Sequence, residues 1–170
     1  MSGAQMAPEF SLEDTRGQTV RLSDHRGRVV ILIFASQATQ EAASRAASGL
    51  GKRLLQNPQV DMFTIVSVPK MFKMMAQGLL KGAQDKALSA ARKRFEKEGA
   101  EVPADLEKRI YILPDWNGEQ VKQFGFDPKA KMVHVALVAP DGTVPERVSS
   151  EDGEKAAEAI AEKTLALLGL

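Results

Sequence analysis

The chain of 170 residues contains no cysteine. That one absence excludes disulfides, thiolate nucleophiles, dithiol redox cycles and cysteine-ligated metals together. Histidine is scarce, with only His25 and His134, far apart and without clustered carboxylates, so no metal and no cofactor is expected. The formal net charge is only +1, which gives no global pull toward nucleic acid or acidic surfaces. No apolar run approaches the ~18 residues of a membrane span. No glycine-rich phosphate loop, no Gly-x-Gly-x-x-Gly and no Ser-His-Asp pattern can be assembled. The start, Met1 to Ala7, lacks the charged opening and apolar core of a signal peptide, so a cytoplasmic protein is expected.

What is present is an ordinary globular composition, 44% hydrophobic and 26% charged, long enough for one domain over residues 1–170. The organising stretch is Val29 to Arg45. It opens as an apolar, β-branched run that reads as a strand buried on both faces. At Ala35 it turns small and polar, with Ser36 and Thr39 as helix caps and Glu41 favouring a helix N-terminus. Ahead of it, Pro8–Leu12 and Thr19–Leu22 alternate around a turn and read as a β-hairpin, and Ser23–Gly27 reads as one helical turn. His25 in that turn reads as an inert surface residue. After it, a helix from about Thr39 to about Gln56 leads to a second strand, Val60–Val68. This βαβ unit predicts parallel strands.

Lys70 to Glu98 reads as an enlarged helical segment within an insertion at about 70–104, with Gly78 and Gly82 as break points. Its apolar side is expected to run through Met71, Phe72, Met75, Leu79, Ala83, Ala87, Ala90 and Ala91. It carries eight basic against three acidic side chains. Arg109–Leu113 reads as a strand, Pro114–Gly118 as a turn and Glu119–Phe124 as a short helix. Met132–Val138 and Thr143–Val148 read as a β-hairpin around Asp141-Gly142, with Pro145 arguing for an edge. A helix over Glu151–Leu168 closes the chain. The expected architecture is α/β, a central mixed sheet with helices on both faces.

Ala7-Pro8-Glu9-Phe10-Ser11-Leu12, Gly17 to Asp24, Arg26-Gly27-Arg28-Val29-Val30, Leu113-Pro114-Asp115 through Gly118 and Leu137 to Gly142 stand in an order that resembles the thioredoxin-like superfamily. The branch resembled is the alkyl hydroperoxide reductase/thiol-specific antioxidant (redoxin) branch. The resemblance implies a thioredoxin-like fold and, at family level, an antioxidant or oxidoreductase activity. It also implies where the chemistry should sit. A W-C-x-x-C would fall on Gln37 to Glu41, where Ala38 and Glu41 stand in place of the cysteines. A P-x-x-x-T-x-x-C would fall on Ala35 to Ala42, where Thr39 is kept and Ala42 replaces the peroxidatic cysteine. The family's cis-proline would fall near Val133. No thiol chemistry is therefore expected.

Two functional expectations follow. The first is a redox-inactive protein-binding or scaffolding module. It would contact another protein, or itself as a homodimer, through the basic segment: Met71, Met74, Met75, Lys73, Lys81, Arg92 and Arg94. Methionines adapt to varied partners. The plainer reading of that segment, and the one ranked ahead of binding, is an enlarged crossover with its apolar side on the sheet and its lysines in water. Contact with anionic lipid or nucleic acid is the third reading, against which its interleaved alanines and only two phenylalanines speak; no nucleic-acid partner is expected. The second expectation is a sulfur-free ligand pocket or enzyme site at the helix N-terminus, made of Ser36, Gln37, Thr39 and His134. Each of these also has a structural reading: Ser36 and Thr39 as caps, His134 as a strand residue satisfied by a neighbour.

Overall fold

The computed structural model describes residues 5–170. The sequence reading of Met1 to Ala4 lies outside the described residues. Five strands form the main sheet: β3 (Val29–Ala35), β4 (Val60–Val68), β5 (Ile110–Trp116), β6 (Val133–Val138) and β7 (Glu146–Ser150), in the order β5-β4-β3-β6-β7. β3, β4 and β5 run parallel, while β6 and β7 are antiparallel additions. β1 (Ser11–Glu13) and β2 (Thr19–Arg21) form the separate N-terminal hairpin. The helices are α1 (Gln40–Leu54), α2 (Lys73–Lys97), α3 (Glu119–Gln123) and α4 (Gly153–Leu167).

The uninterrupted apolar run of β3 exists because both of its faces are core. Val29, Ile31, Ile33 and Ala35 point toward α1, α4 and the second half of α2. Val30, Leu32 and Phe34 point the other way, into a layer built by Phe10, Val20 and Leu22 of the hairpin region, Val121 of α3 and Phe124 just after it. This alternation is the period-two geometry of a strand with no wet face.

Three local expectations are corrected. Gly78 and Gly82 do not break the segment after β4: α2 is one continuous helix of 25 residues, entered through a 3-10 turn at Lys70–Phe72. Most of its buried side is also one residue away from the stripe expected. Ala91 is buried and Ala87 half-buried, as expected, but their companions are Leu80, Gln84, Leu88 and Phe95, while Met71, Met75, Leu79, Ala83 and Ala90 face solvent. Gln84 decides this rotation. Its side-chain Nε2 donates to the Ile110 carbonyl (2.8 Å) and its Oε1 accepts from the Ile112 N–H (2.6 Å). The amide thereby occupies the free edge of β5 as a neighbouring strand would, and α2 covers an edge otherwise open to pairing. Third, Pro114, Asp115 and Trp116 belong to β5 rather than to a turn. Proline is tolerated there because β5 is an edge strand.

Candidate functional site

At the C-terminal end of β3 the chain passes through Ser36 into a 3-10 turn, Gln37–Thr39, and then into α1. The Thr39 hydroxyl oxygen accepts from the Ser36 backbone N–H at 2.9 Å and lies 3.3 Å from the Ser36 hydroxyl. Thr39 is buried and makes no side-chain cap to α1. Its role is to close the turn before the helix, which corrects the expectation that it caps α1. A shallow, open depression lies above this corner, lined by Ser36, Thr39 and His134 with Ser67, Phe34 and Met132 among others. The structure thus brings three of the four expected pocket residues together and adds Ser67. Gln37 is exposed and does not line the cleft.

His134 is 5% exposed and stands on β6 opposite Phe34 of β3. Its Nε2 lies 3.2 Å from the Asp127 carbonyl oxygen, which only accepts, so Nε2 carries the proton in the neutral ring. Nδ1 then accepts from the Ser149 hydroxyl at 2.6 Å. The ring stacks on Phe126 at 4.7 Å. Burial pushes its pKa below 6.5, against the smaller opposing effect of Asp127. A neutral imidazole with both nitrogens engaged fits the structural role better than that of a free acid or base.

The positions corresponding to the family's cysteines show no replacement chemistry. Ala38 and Glu41 are exposed, Glu41 pairs with Arg45 at 2.6 Å, and Ala42 is half-buried against the core. Val133 is fully buried at the start of β6, and no cis peptide occurs among the described residues. Among the described residues no group of three or more His, Asp or Glu side chains is placed to hold a metal ion. Among the described residues no helix is long and apolar enough to cross a membrane.

Residues 4–75 match the model of the AhpC/TSA family. No curated protein matches the chain. Among solved structures, a candidate thiol:disulfide interchange protein DsbE from Chlorobium tepidum has a TM-score of 0.64 at 18% identity, covering 99% of both chains. The exposed lipoprotein thioredoxin Etrx1 of Streptococcus pneumoniae has a TM-score of 0.61 at 16% identity, over 92% of this chain and 99% of its own. A secreted Mycobacterium tuberculosis disulfide oxidoreductase homologous to E. coli DsbE has a TM-score of 0.54 at 14% identity, over 90% and 95%. The fold is thioredoxin-like. The redoxin-branch resemblance holds over residues 4–75, and this thioredoxin-like chain lacks cysteine altogether.

Two features outside the cleft complete the picture. At the opposite end of the sheet, Asp61 is fully buried in the apolar strand β4 and gathers two guanidinium groups and an imidazole. Arg28 grips it with Nε–Oδ2 and NH2–Oδ1 bonds of 2.8 Å each, His25 Nδ1 lies 2.8 Å away, and Arg109 Nε lies 3.7 Å away. Burial alone would raise the Asp61 pKa, but these hydrogen bonds and charges hold it below the usual carboxylate value. His25 is therefore a partner in a buried ionic cluster, not an inert surface residue. A lone Asp inside an apolar run was the sequence signal for it. On β5, Asp115 is buried, accepts from the Gln120 N–H at 2.9 Å and has its pKa raised by burial.

The second feature is the outer face of α2. Met71, Met74, Met75 and Leu79 are 83%, 89%, 71% and 75% exposed, and Phe72 is 48% exposed. The basic residues expected beside them divide. Lys81 is exposed, and Lys73 sits 5.6 Å from the Trp116 ring. Arg92 is engaged with Glu107 at 3.0 Å and Arg94 lies against Gly51 of α1, so neither joins the methionine face.

Proposed function

We propose that this chain is a redox-inactive thioredoxin-like protein whose work is protein binding. One observation carries the reading. Five large apolar side chains stand exposed together at the start of α2, while every position that performs thiol chemistry in the family lacks sulfur. Scattered exposed apolar residues are ordinary, whereas a contiguous patch of this size marks an interaction surface. Methionine suits such a surface because its flexible, polarisable side chain repacks against different partners.

The test is the double variant Met74→Glu/Met75→Glu in the full chain. Both side chains project into solvent, so the circular dichroism spectrum and melting point should stay unchanged. Protein complexes formed by the wild type should be lost in the variant. Identical complexes for the two chains overturn the reading. Hydrogen peroxide and small disulfides should not be turned over above buffer.

The meeting of Ser36, Thr39, Ser67 and His134 supports a second reading, a small-ligand cleft without thiol chemistry. A ligand at 100 times its Kd adds about 2.7 kcal/mol to stability, so a thermal-shift screen with inorganic anions decides it. An unshifted melting point across the set removes anion binding from the reading.

A further inference from the structure

Resting on that protein-binding reading, we propose that the occupant of the exposed α2 face is a second copy of this chain, docked antiparallel along α2 at Gly78 and Gly82. Area points to a large partner. An aromatic side chain carries roughly 150–250 Å² and Met or Leu no more than the middle of that range, so the five exposed ones present on the order of 500–700 Å². That stands at or above the upper end of the 300–600 Å² of an ordinary monomer's largest apolar patch. It approaches the ~800 Å² each partner contributes to a standard interface.

Glycine placement points the same way. Met75, Gly78, Leu79 and Gly82 are spaced i, i+3, i+4 and i+7 within α2, so they form one stripe, opposite the buried Leu80 and Gln84. Neither glycine has a positive φ, and a Cβ built on either meets nothing within 4 Å. Nothing inside the chain calls for them, although glycine weakens a helix interior. What glycine permits is close backbone approach by another element. Flanked by Met75 and Leu79, the two glycines form a notch in an apolar ridge, a shape that fits a helix. In a stripe that inserts into lipid, glycine adds no buried surface.

Charge selects the direction. Seating Met75 of one copy against Gly82 of the other sets Gly78 opposite Leu79 and Met71 opposite Lys86. A parallel pairing would place Lys81 on Lys81 instead. The antiparallel register avoids that like-charge contact. The basic excess of the segment still repels its copy, so added salt should tighten the association by screening.

The chain's lack of cysteine makes the test clean, because an introduced thiol is the only one present. Sedimentation equilibrium of the full chain should show a dimer that tightens as salt rises. Gly82→Leu adds apolar surface and helix propensity yet should weaken the dimer at least tenfold, because it fills the notch. Under mild oxidation Leu79→Cys should cross-link. Ser89→Cys should not, since position 89 meets its own copy only in parallel pairing. A monomer at concentrations up to roughly 100 µM, a Gly82→Leu dimer as tight as the wild type, or equal cross-linking at both positions overturns the proposal. If the wild type is monomeric but Met74→Glu/Met75→Glu still abolishes complexes with other proteins, the second-copy assignment falls and the protein-binding reading stands. If that variant changes nothing, both fall. A monomer that binds phosphatidylglycerol-containing vesicles but not neutral ones assigns the face to lipid and overturns both.

Discussion

Replacing Asp61 by asparagine tests the ionic cluster at the base of the sheet. The substitution keeps the side chain's shape and removes its charge. What it leaves behind differs by partner. Arg28 has a side chain 31% exposed and can turn to water, but Arg109, 1% exposed, cannot. Arg109 keeps its bonds to the carbonyls of Leu55 (2.8 Å), Asn57 (2.8 Å) and Val60 (2.9 Å), which share its charge among dipoles without neutralising it. Breaking a buried ion pair from one side costs about 3–5 kcal/mol; the retained carbonyl bonds place Asp61→Asn near the lower end. Arg28→Ala should cost less, about 1–2 kcal/mol, because its charge pair is partly screened by solvent. Urea titration followed by circular dichroism, with the slope m unchanged, measures both. pH adds an independent reading. The folded pKa of Asp61 lies below its unfolded value near 3.8, so the unfolded chain takes up the proton first as pH falls. The stabilisation is complete above that value and drains as pH drops through the folded pKa. Asp61→Asn should flatten this acid limb. A cost under about 1 kcal/mol, or an acid limb as steep as the wild type's, refutes the cluster's role.

Three further outcomes follow from geometry already described. His134 is held neutral, with a folded pKa below 6.5, so stability should decline as pH falls through about 6.5 and level off below the folded pKa; His134→Phe should remove this slope while costing about 1–2 kcal/mol for the lost hydrogen bonds, read from urea midpoints across that range. A Cβ on Gly153 would stand 2.0 Å from the Ala42 carbonyl oxygen, so Gly153→Ala should destabilise by about 3 kcal/mol, and a loss below 1 in the same titration would show that α1 and α4 slide apart freely. Ala38→Cys/Glu41→Cys places two thiols where the family carries its redox pair, at the entry to α1; a disulfide reducible by dithiothreitol should form, with a thiolate pKa below about 8.5, and two permanently free thiols in the oxidised protein would show that the corner no longer has the family's geometry.

The parts of this fold legible in the sequence are those whose signal is local. Val29–Ala35 and Val60–Val68 announce themselves because a strand buried on both faces cannot contain polar residues without partners. The motif order around Pro8, Gly17 and Asp141 carried the family resemblance for the same reason: turns and strand starts are short-range features. The ionic cluster was hidden because Asp61 meets His25, Arg28 and Arg109 across 33 to 48 positions, and only the lone carboxylate in an apolar run hinted at it. The rotation of α2 was hidden differently. Its alanines and leucines form two stripes one residue apart, Leu79–Ala83–Ala90 and Leu80–Leu88–Ala91. The tie is broken by Gln84, a polar residue that pattern reading sends to the surface and the edge of β5 draws inward.

That rotation bears on where function can reside. The corner after β3 is held by contacts that do not depend on sulfur. Thr39 is occupied by the Ser36 N–H, His134 has a partner on each nitrogen, and the close approach of Gly153 to Ala42 fixes the start of α1 from outside. A corner so satisfied from within persists for the sake of the core, whether or not anything reacts above it. The opposite holds for α2. Once Gln84 anchors one side of the helix to β5, Met71, Met74, Met75 and Leu79 are left exposed, uncovered by any of the described residues. Burying them on the protein would require rotating the helix and reopening the β5 edge. The surface that lacks a partner is thus the one the fold cannot cover by itself, and an external partner there fits this molecule better than a ligand in the cleft.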